Sequence, residues 1–275
     1  MYYREIQPPS HLADLIRYYW ILEDPPHDSS QAINFRVLAD GYPGFIFTYG
    51  NNSDWKFMQP SNPVPIPQCS FFGVLQHFRD LYVHGSYGIL GISFFSHSFH
   101  TLLDIPANEI ANQSIGIEDL YGYKGKHLRE KLQNATDNTE RIAFINDFLT
   151  CIQQDTLAKN TVVRQGVLQI LSQKGTTSIS SLTQHLGISR RHFERRFKAL
   201  VGISPKQYSR IIRFQQVLRY PFEPREMSLA NLAFICGYSD QPHFIREFKT
   251  FAGFTPRCFF SETDEVVENF VHFSE

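Results

Sequence analysis

Apolar residues change their period part-way along this chain, and the change divides it. In the first third they come in short runs: Tyr18–Leu22, Phe45–Tyr49, Phe71–Leu75, Leu81–Val83 and Ile89–Phe95. Turn-forming stretches separate the runs, at Asp24-Pro25-Pro26, Asp40–Gly44, Tyr49–Ser53 and the prolines Pro60, Pro63, Pro65 and Pro67. Short strands so spaced predict a β-rich barrel or sandwich. From Ser96 the period becomes helical. Leu128 and Leu132 stand at i, i+4, and Ile142, Ile145 and Leu149 form an i, i+3, i+7 stripe.

The polar segment Gln153–Asn160 is the expected linker to a second domain with its own core. That second domain reads as helix throughout. One helix is predicted over Val162–Gln173, ending at Lys174-Gly175. Ser178 is placed to cap the next, its hydroxyl accepting a first-turn N–H. Ser204-Pro205 opens a long helix that Pro221 stops after Tyr220. Ser228 stands where Ser178 does, before a second copy of the same pattern.

That pattern occurs twice. The first copy is Leu182-Thr-Gln-His-Leu-Gly-Ile-Ser189, Phe193-Glu-Arg-Arg-Phe-Lys198 and Gly202-Ile-Ser-Pro205. The second is Leu232-Ala-Phe-Ile-Cys-Gly-Tyr-Ser239, Phe244-Ile-Arg-Glu-Phe-Lys249 and Gly253-Phe-Thr-Pro256, with one extra residue before its first Phe. Each reads as helix, tight turn, helix, the arrangement that lays its second helix in a DNA major groove. Gly187 and Gly237 stand where a helix end takes left-handed dihedrals, and Thr183 and Ala233 are small where two helices approach. Phe193, Phe197 and Leu200 share one face of the first reading helix, and Phe244, Phe248 and Phe251 one face of the second. Packing needs those faces. It does not need the cations on the opposite ones.

Arg190, Arg191, Glu194 and Arg195 are therefore candidate base contacts of the first helix, and Gln241, His243 and Arg246 of the second. Arg forks onto guanine O6 and N7, and Glu accepts from cytosine N4. Ser189, Lys198, Lys206, Lys249 and Arg257 are the candidate phosphate contacts. The helix Pro205–Tyr220 spans about 24 Å, a rod that sets two reading helices into grooves about 34 Å apart. The predicted target is a non-palindromic site of about 20 base pairs.

Charge agrees with this division. The chain of 275 residues has a formal net charge of −1, yet residues 160–262 hold 15 Lys+Arg against 6 Asp+Glu, and the remainder 11 against 21. A basic module on an acidic body is the electrostatic footprint of a nucleic-acid reader. With no signal-like N-terminus, no apolar run of about 18 residues and four scattered cysteines, the expectation is a cytoplasmic protein with reduced thiols and no membrane partner.

Residues 162–260 resemble the AraC/XylS family of bacterial transcription regulators. The most specific part is Gly237-Tyr-Ser-Asp-Gln-Pro-His-Phe-Ile-Arg-Glu-Phe-Lys249 with Gly253-Phe-Thr-Pro256; Pro242 stands where the family often has serine. The resemblance implies two helix-turn-helix modules joined by a long helix, acting at promoters, with base contacts at the positions already chosen. Leu38-Ala-Asp-Gly-Tyr-Pro43, Ile89–Phe94 and Ile117–Gly122 resemble the sensor half of such regulators.

The expected fold class is α+β: residues 1–155 a cupin-like β-rich barrel or sandwich with flanking helices, serving as sensor or dimerisation domain. Residues 160–262 form the all-α DNA-binding domain and 263–275 an acidic tail that frays. The expected partners are double-stranded promoter DNA, a small-molecule effector, RNA polymerase and a second copy joined through the N-terminal domain. No cofactor, metal or catalytic residue is expected. Trp20, Tyr49, Phe72 and Phe95 are candidates to line an effector pocket, although aromatics in a β-rich domain are more often simply core.

Two other classes of function bear weighing. A metal-dependent enzyme fused to a DNA reader would draw on His77, His84, His97 and His100, but these lack an accompanying carboxylate and an H-x-H strand pair. A methyl-accepting thiol at Cys69 or Cys151 would need cationic neighbours that the sequence does not supply. Alternatively the N-terminal domain only dimerises or binds a protein.

Overall fold

The computed structural model describes residues 2–23, 33–50, 54–58, 62–84, 87–153, 161–222, 227–262, 265–267 and 270–272. The turn at Asp24-Pro25-Pro26 and the linker beyond Gln153 lie outside the described residues. Strands β1 (Tyr2–Ile6), β2 (Ile16–Glu23), β3 (Ile33–Val37), β4 (Gly44–Tyr49), β5 (Asp54–Phe57), β6 (Val64–Pro65), β7 (Cys69–Phe72), β8 (Arg79–His84), β9 (Gly88–Phe94) and β10 (Ser114–Gly116) build the N-terminal half. Helices α1 (Ile117–Tyr121), α2 (Tyr123–Asn134) and α3 (Asn138–Ile152) come next. The C-terminal half is α4 (Thr161–Ser172), α5 (Ile179–His185), α6 (Arg190–Val201), α7 (Pro205–Arg219), α8 (Leu229–Ile235), α9 (Gln241–Ala252) and α10 (Pro256–Glu262), then β11 (Glu265–Val267) and β12 (Phe270–His272).

Two antiparallel sheets face one another, in the orders β1-β2-β9-β4-β7-β10 and β11-β12-β3-β8-β5-β6. The expected apolar runs fall in strands, with two shortened: Phe71–Leu75 is extended only to Phe72, and Ile89–Phe95 only to Phe94. Successive side chains of a strand point to opposite faces. Tyr19 and Ile21, Phe45 and Phe47, and Leu90, Ile92 and Phe94 accordingly pack with Leu128, Leu132, Ile145 and Leu149 of α2 and α3. Their neighbours Trp20, Leu22 and Ile89 meet Phe35, Trp55, Leu81 and Val83 of the second sheet. The first sheet is thus covered on both sides, which is why β9 is buried at every position and apolar almost throughout.

The halves do not keep separate cores, contrary to the expectation. Leu38, Ala39, Val74 and Leu75, on loops outside the strands of either sheet, are buried in one cluster with Ile170 of α4, Phe193 and Phe197 of α6, and Tyr208, Ile211 and Ile212 of α7. Gln215 Nε2 donates to the Ala39 carbonyl at 2.9 Å, and Gln207 Nε2 to that of Gln76 at 3.4 Å. The acidic tail also departs from the expected fraying. β11 and β12 pair with one another, and β12 joins β3 with Val271 opposite Arg36.

Arg36 ties the sandwich to the end of α9. Its Nε and Nη2 reach the Asp80 carboxylate at 2.6 and 2.8 Å, and its Nη1 donates to the Ala252 carbonyl at 3.2 Å. The guanidinium lies 4.1 Å from the Phe78 ring and 4.3 Å from that of Phe254. Gly253 ends α9 with φ +78°, and a Cβ there would stand 2.3 Å from Arg36 Nη1. Only glycine suits both the turn and the approach. Arg36→Ala is expected to lower stability by about 2 kcal/mol, since bonds to a charged group are lost together. Both tryptophans, Trp20 and Trp55, lie in the N-terminal half, whereas helices dominate the C-terminal half. Tryptophan fluorescence and far-ultraviolet dichroism should therefore report one coincident urea transition; two separate transitions would contradict a shared core.

Candidate nucleic-acid interface

Each module is helix, glycine turn, helix: α5–Gly187–α6 and α8–Gly237–α9. Gly187 and Gly237 have φ of +64° and +77°, the left-handed turn the repeat predicted. At Gly237 a Cβ would also stand 2.5 Å from the Thr176 side chain. Thr183 and Ala233 are buried where the paired helices meet.

The caps explain the extra residue of the second copy. Ser189 caps α6, accepting from His192 N, whereas Asp240 caps α9, accepting from His243 N at 2.7 Å. The cap role has passed to an inserted aspartate, whose carboxyl is held below its usual range by that backbone N–H first and by Ser239 second. Ser204 and Ser228 cap α7 and α8 through their hydroxyls. Ser178 occupies the cap position of α5, but its hydroxyl makes no capping bond, which corrects the expectation.

Aligned by their caps, the two reading helices match at Arg195 and Arg246 and at Lys198 and Lys249. Phe193 and Phe197 are fully buried on α6, and Phe244, Phe248 and Phe251 on α9. The third buried member on α6 is Val201 rather than Leu200, which is only partly buried against the same cluster. Arg191, Arg195, Lys198, Gln241, Arg246 and Lys249 are exposed on the outer faces. Arg257 is exposed on α10 and Lys206 on α7. Arg190 Nε and Glu194 Oε1 pair at 2.8 Å across one helical turn, an exposed contact that holds both groups at the start of α6.

His243 is the most constrained of the candidates. Its Nδ1 lies 3.1 Å from Ser239 Oγ and its Nε2 3.3 Å from Glu247 Oε1. Glu247 sits inside the module, 5% exposed, and takes Arg210 Nε at 2.5 Å and Arg213 Nη2 at 3.0 Å, both from α7. Burial works against this carboxylate's charge, but the bond from Arg210 and the charge and bond of Arg213 outweigh it and hold its pKa below 4.5. The second reading helix is thus pinned to the connecting rod by an ion-pair network. This network escaped the sequence reading, although a signal was present: Glu247 stands three residues after Phe244, in phase with the buried stripe. A carboxylate there requires buried cations.

A second feature is a cavity of about 80 Å³ between the sheets. Of the four aromatic candidates Trp20 and Phe72 line it and Tyr49 and Phe95 do not; Trp55, Ile46, Leu75 and Leu81 are also in its wall. Tyr49 is committed elsewhere, donating to Glu23 Oε1 at 2.5 Å. Trp55 Nε1 is buried without a hydrogen-bond partner. Among the described residues no group of three or more His, Cys, Asp and Glu could hold a metal ion. His77 is exposed, while burial pushes His97 and His100 down to about 4. Cys69 is buried and its thiol pKa is raised by that burial, which disfavours a reactive thiolate. Among the described residues no helix is long and apolar enough to cross a membrane.

Comparison with known proteins agrees with this geometry. Residues 182–262 match a family described as a helix-turn-helix domain, and residues 4–116 a domain of unknown function, DUF6597. The HTH-type transcriptional regulator ArgR of Pseudomonas aeruginosa is 34% identical over 76 residues, 28% of this chain and 23% of that protein. The HTH-type transcriptional regulator GbdR of the same species is 32% identical over 82 residues, 29% of this chain and 21% of that protein. The chain therefore spans less than a quarter of the length of these curated relatives. Among solved structures, ToxT from Vibrio cholerae covers 86% of this chain and 95% of its own at 11% identity, with a TM-score of 0.44.

Proposed function

We propose that this chain is an AraC-type transcription regulator whose α6 and α9 read successive major grooves of promoter DNA, a reading supported by the helix-turn-helix match over residues 182–262. The observation that carries the reading is the matched pair of exposed cations on two capped helices, Arg195 with Lys198 and Arg246 with Lys249, joined through one rod. Arginine at these places reads guanine, and lysine neutralises phosphate. Titration of the protein onto duplexes drawn from the DNA upstream of its own gene tests this. One duplex should bind at least roughly a thousandfold tighter than unrelated DNA; equal affinity for all would exclude a sequence reader.

The proposed effector site is the cavity between the sheets, which suits a small and largely apolar molecule offering one acceptor to Trp55 Nε1. Its walls include Leu38 and Leu75, which also pack in the cluster holding α6 and α7, so an occupant presses on the reading half through shared side chains. A matching ligand at about a hundred times its Kd should stabilise the protein by about 2.7 kcal/mol, read as a rise in Tm. A panel in which only sugars or multiply charged compounds raise Tm would reject the assignment.

A further inference from the structure

Between the two modules lies an open cleft of about 620 Å³, floored by α7. The first module contributes the turn Gly175–Ser178 and Arg190, the rod contributes Lys206, Arg210 and Arg213, and the second module contributes His243 and Glu247. Its lining holds four cations against one carboxylate. Two of those cations are committed to that carboxylate, while Arg190 pairs with Glu194 on the rim. Lys206 is exposed and has no ion pair among the described residues. Three polar groups of the lining keep unused capacity. Ser178 stands at a cap position without using its hydroxyl, and Thr177 Oγ1 and Arg213 Nε are buried with no hydrogen-bond partner. A lining that is cationic, rich in donors and incompletely satisfied lacks an anionic acceptor.

Resting on the reading above, we propose that this cleft seats a phosphodiester of the DNA strand running between the two grooves, with Lys206 meeting its charge and Ser178 and Arg190 bounding it. Two reading helices in successive major grooves leave the minor groove and its two bordering backbone strands in the space between them, and both modules wall that space. A contact made jointly by both modules fixes their register on the duplex and carries no base information. Glu247 keeps Arg210 and Arg213 splayed at the floor, so the free charge facing the duplex is that of Lys206.

The experiment compares the intact chain with its Lys206→Ala variant, an exposed change that leaves the core intact, on the preferred duplex and on an unrelated one across a salt series. The slope of log K against log salt should shrink by roughly one, with affinity falling by the same factor on both duplexes. Ser178→Ala should weaken both duplexes alike and leave the slope in place, because it removes a donor without a charge. An unchanged slope for Lys206→Ala, or a loss confined to the preferred duplex, would overturn the cleft assignment while leaving the DNA reader intact. A parent protein that binds neither duplex would overturn the reader itself, and the cleft with it.

Discussion

Replacing Glu247 by alanine is expected to destabilise the protein by on the order of 3 kcal/mol, the usual consequence of removing one partner from a buried ion pair. The carboxylate is 6% exposed at its side chain, and Arg213 is 16% exposed, so the orphaned guanidinium cannot turn to water without disturbing Tyr238, whose ring lies 4.6 Å from it. Arg210, at 32%, reaches solvent more readily and takes up less of the loss. Glu247→Gln keeps the shape and one acceptor but not the charge, and should fall between alanine and the parent. Equilibrium urea unfolding checks the order. An alanine variant as stable as the parent would mean that the network contributes nothing.

The same network sets a pH dependence. The folded pKa of Glu247 lies below 4.5, so its contribution is complete at neutral pH and is lost as pH falls below 4.5 and through the lower folded value. His243 faces the same carboxylate at 3.3 Å, and Arg210 and Arg213 face it from α7. The gap in stability between parent and Glu247→Gln should therefore narrow in acid only below pH 4.5.

Arg195→Ala and Arg246→Ala should each weaken binding to the preferred duplex by about 1–3 kcal/mol, roughly fivefold to a hundredfold and more. Each should relax the base preference at one place only. The two places should lie about one helical turn, roughly 10 base pairs, apart. Competition with duplexes altered at single positions measures this. Both side chains are exposed and stand at equivalent places after their caps, so neither change should alter folding. If a variant instead loses affinity equally for every sequence, that arginine holds phosphate and another side chain reads the base.

The reading half was legible because its exposed cations have no packing role: a stripe of Phe at helical spacing leaves Arg195 and Arg246 no face but the outer one. Glycine turns and serine caps then set the boundaries within a residue or two. Less was legible where contacts run far along the chain. Nothing in the period of Leu38 or Leu75 foretells that each joins one buried cluster with residues of α7, because such packing depends on how the sheets curl. Val201 replaced Leu200 in the buried stripe because Phe193, Phe197 and Val201 follow one another at i, i+4, i+8 along a single face of α6. The strand β1 was missed because Tyr2–Ile6 sits at a sheet edge, where three of its five residues are exposed and alternation is blunted. The tail pair β11–β12 was missed for a different reason. Three-residue strands inside an acidic segment carry too few apolar positions to show a period.

If α6 and α9 enter consecutive major grooves, the bound DNA must carry two separated blocks of sequence. Selection of bound duplexes from a random pool with the purified, intact protein tests it most directly. The geometry predicts two blocks of preferred bases, unlike one another and spaced centre to centre by about 10 base pairs, within a site of about 20. A single block, a palindrome or a pool without enrichment would contradict it.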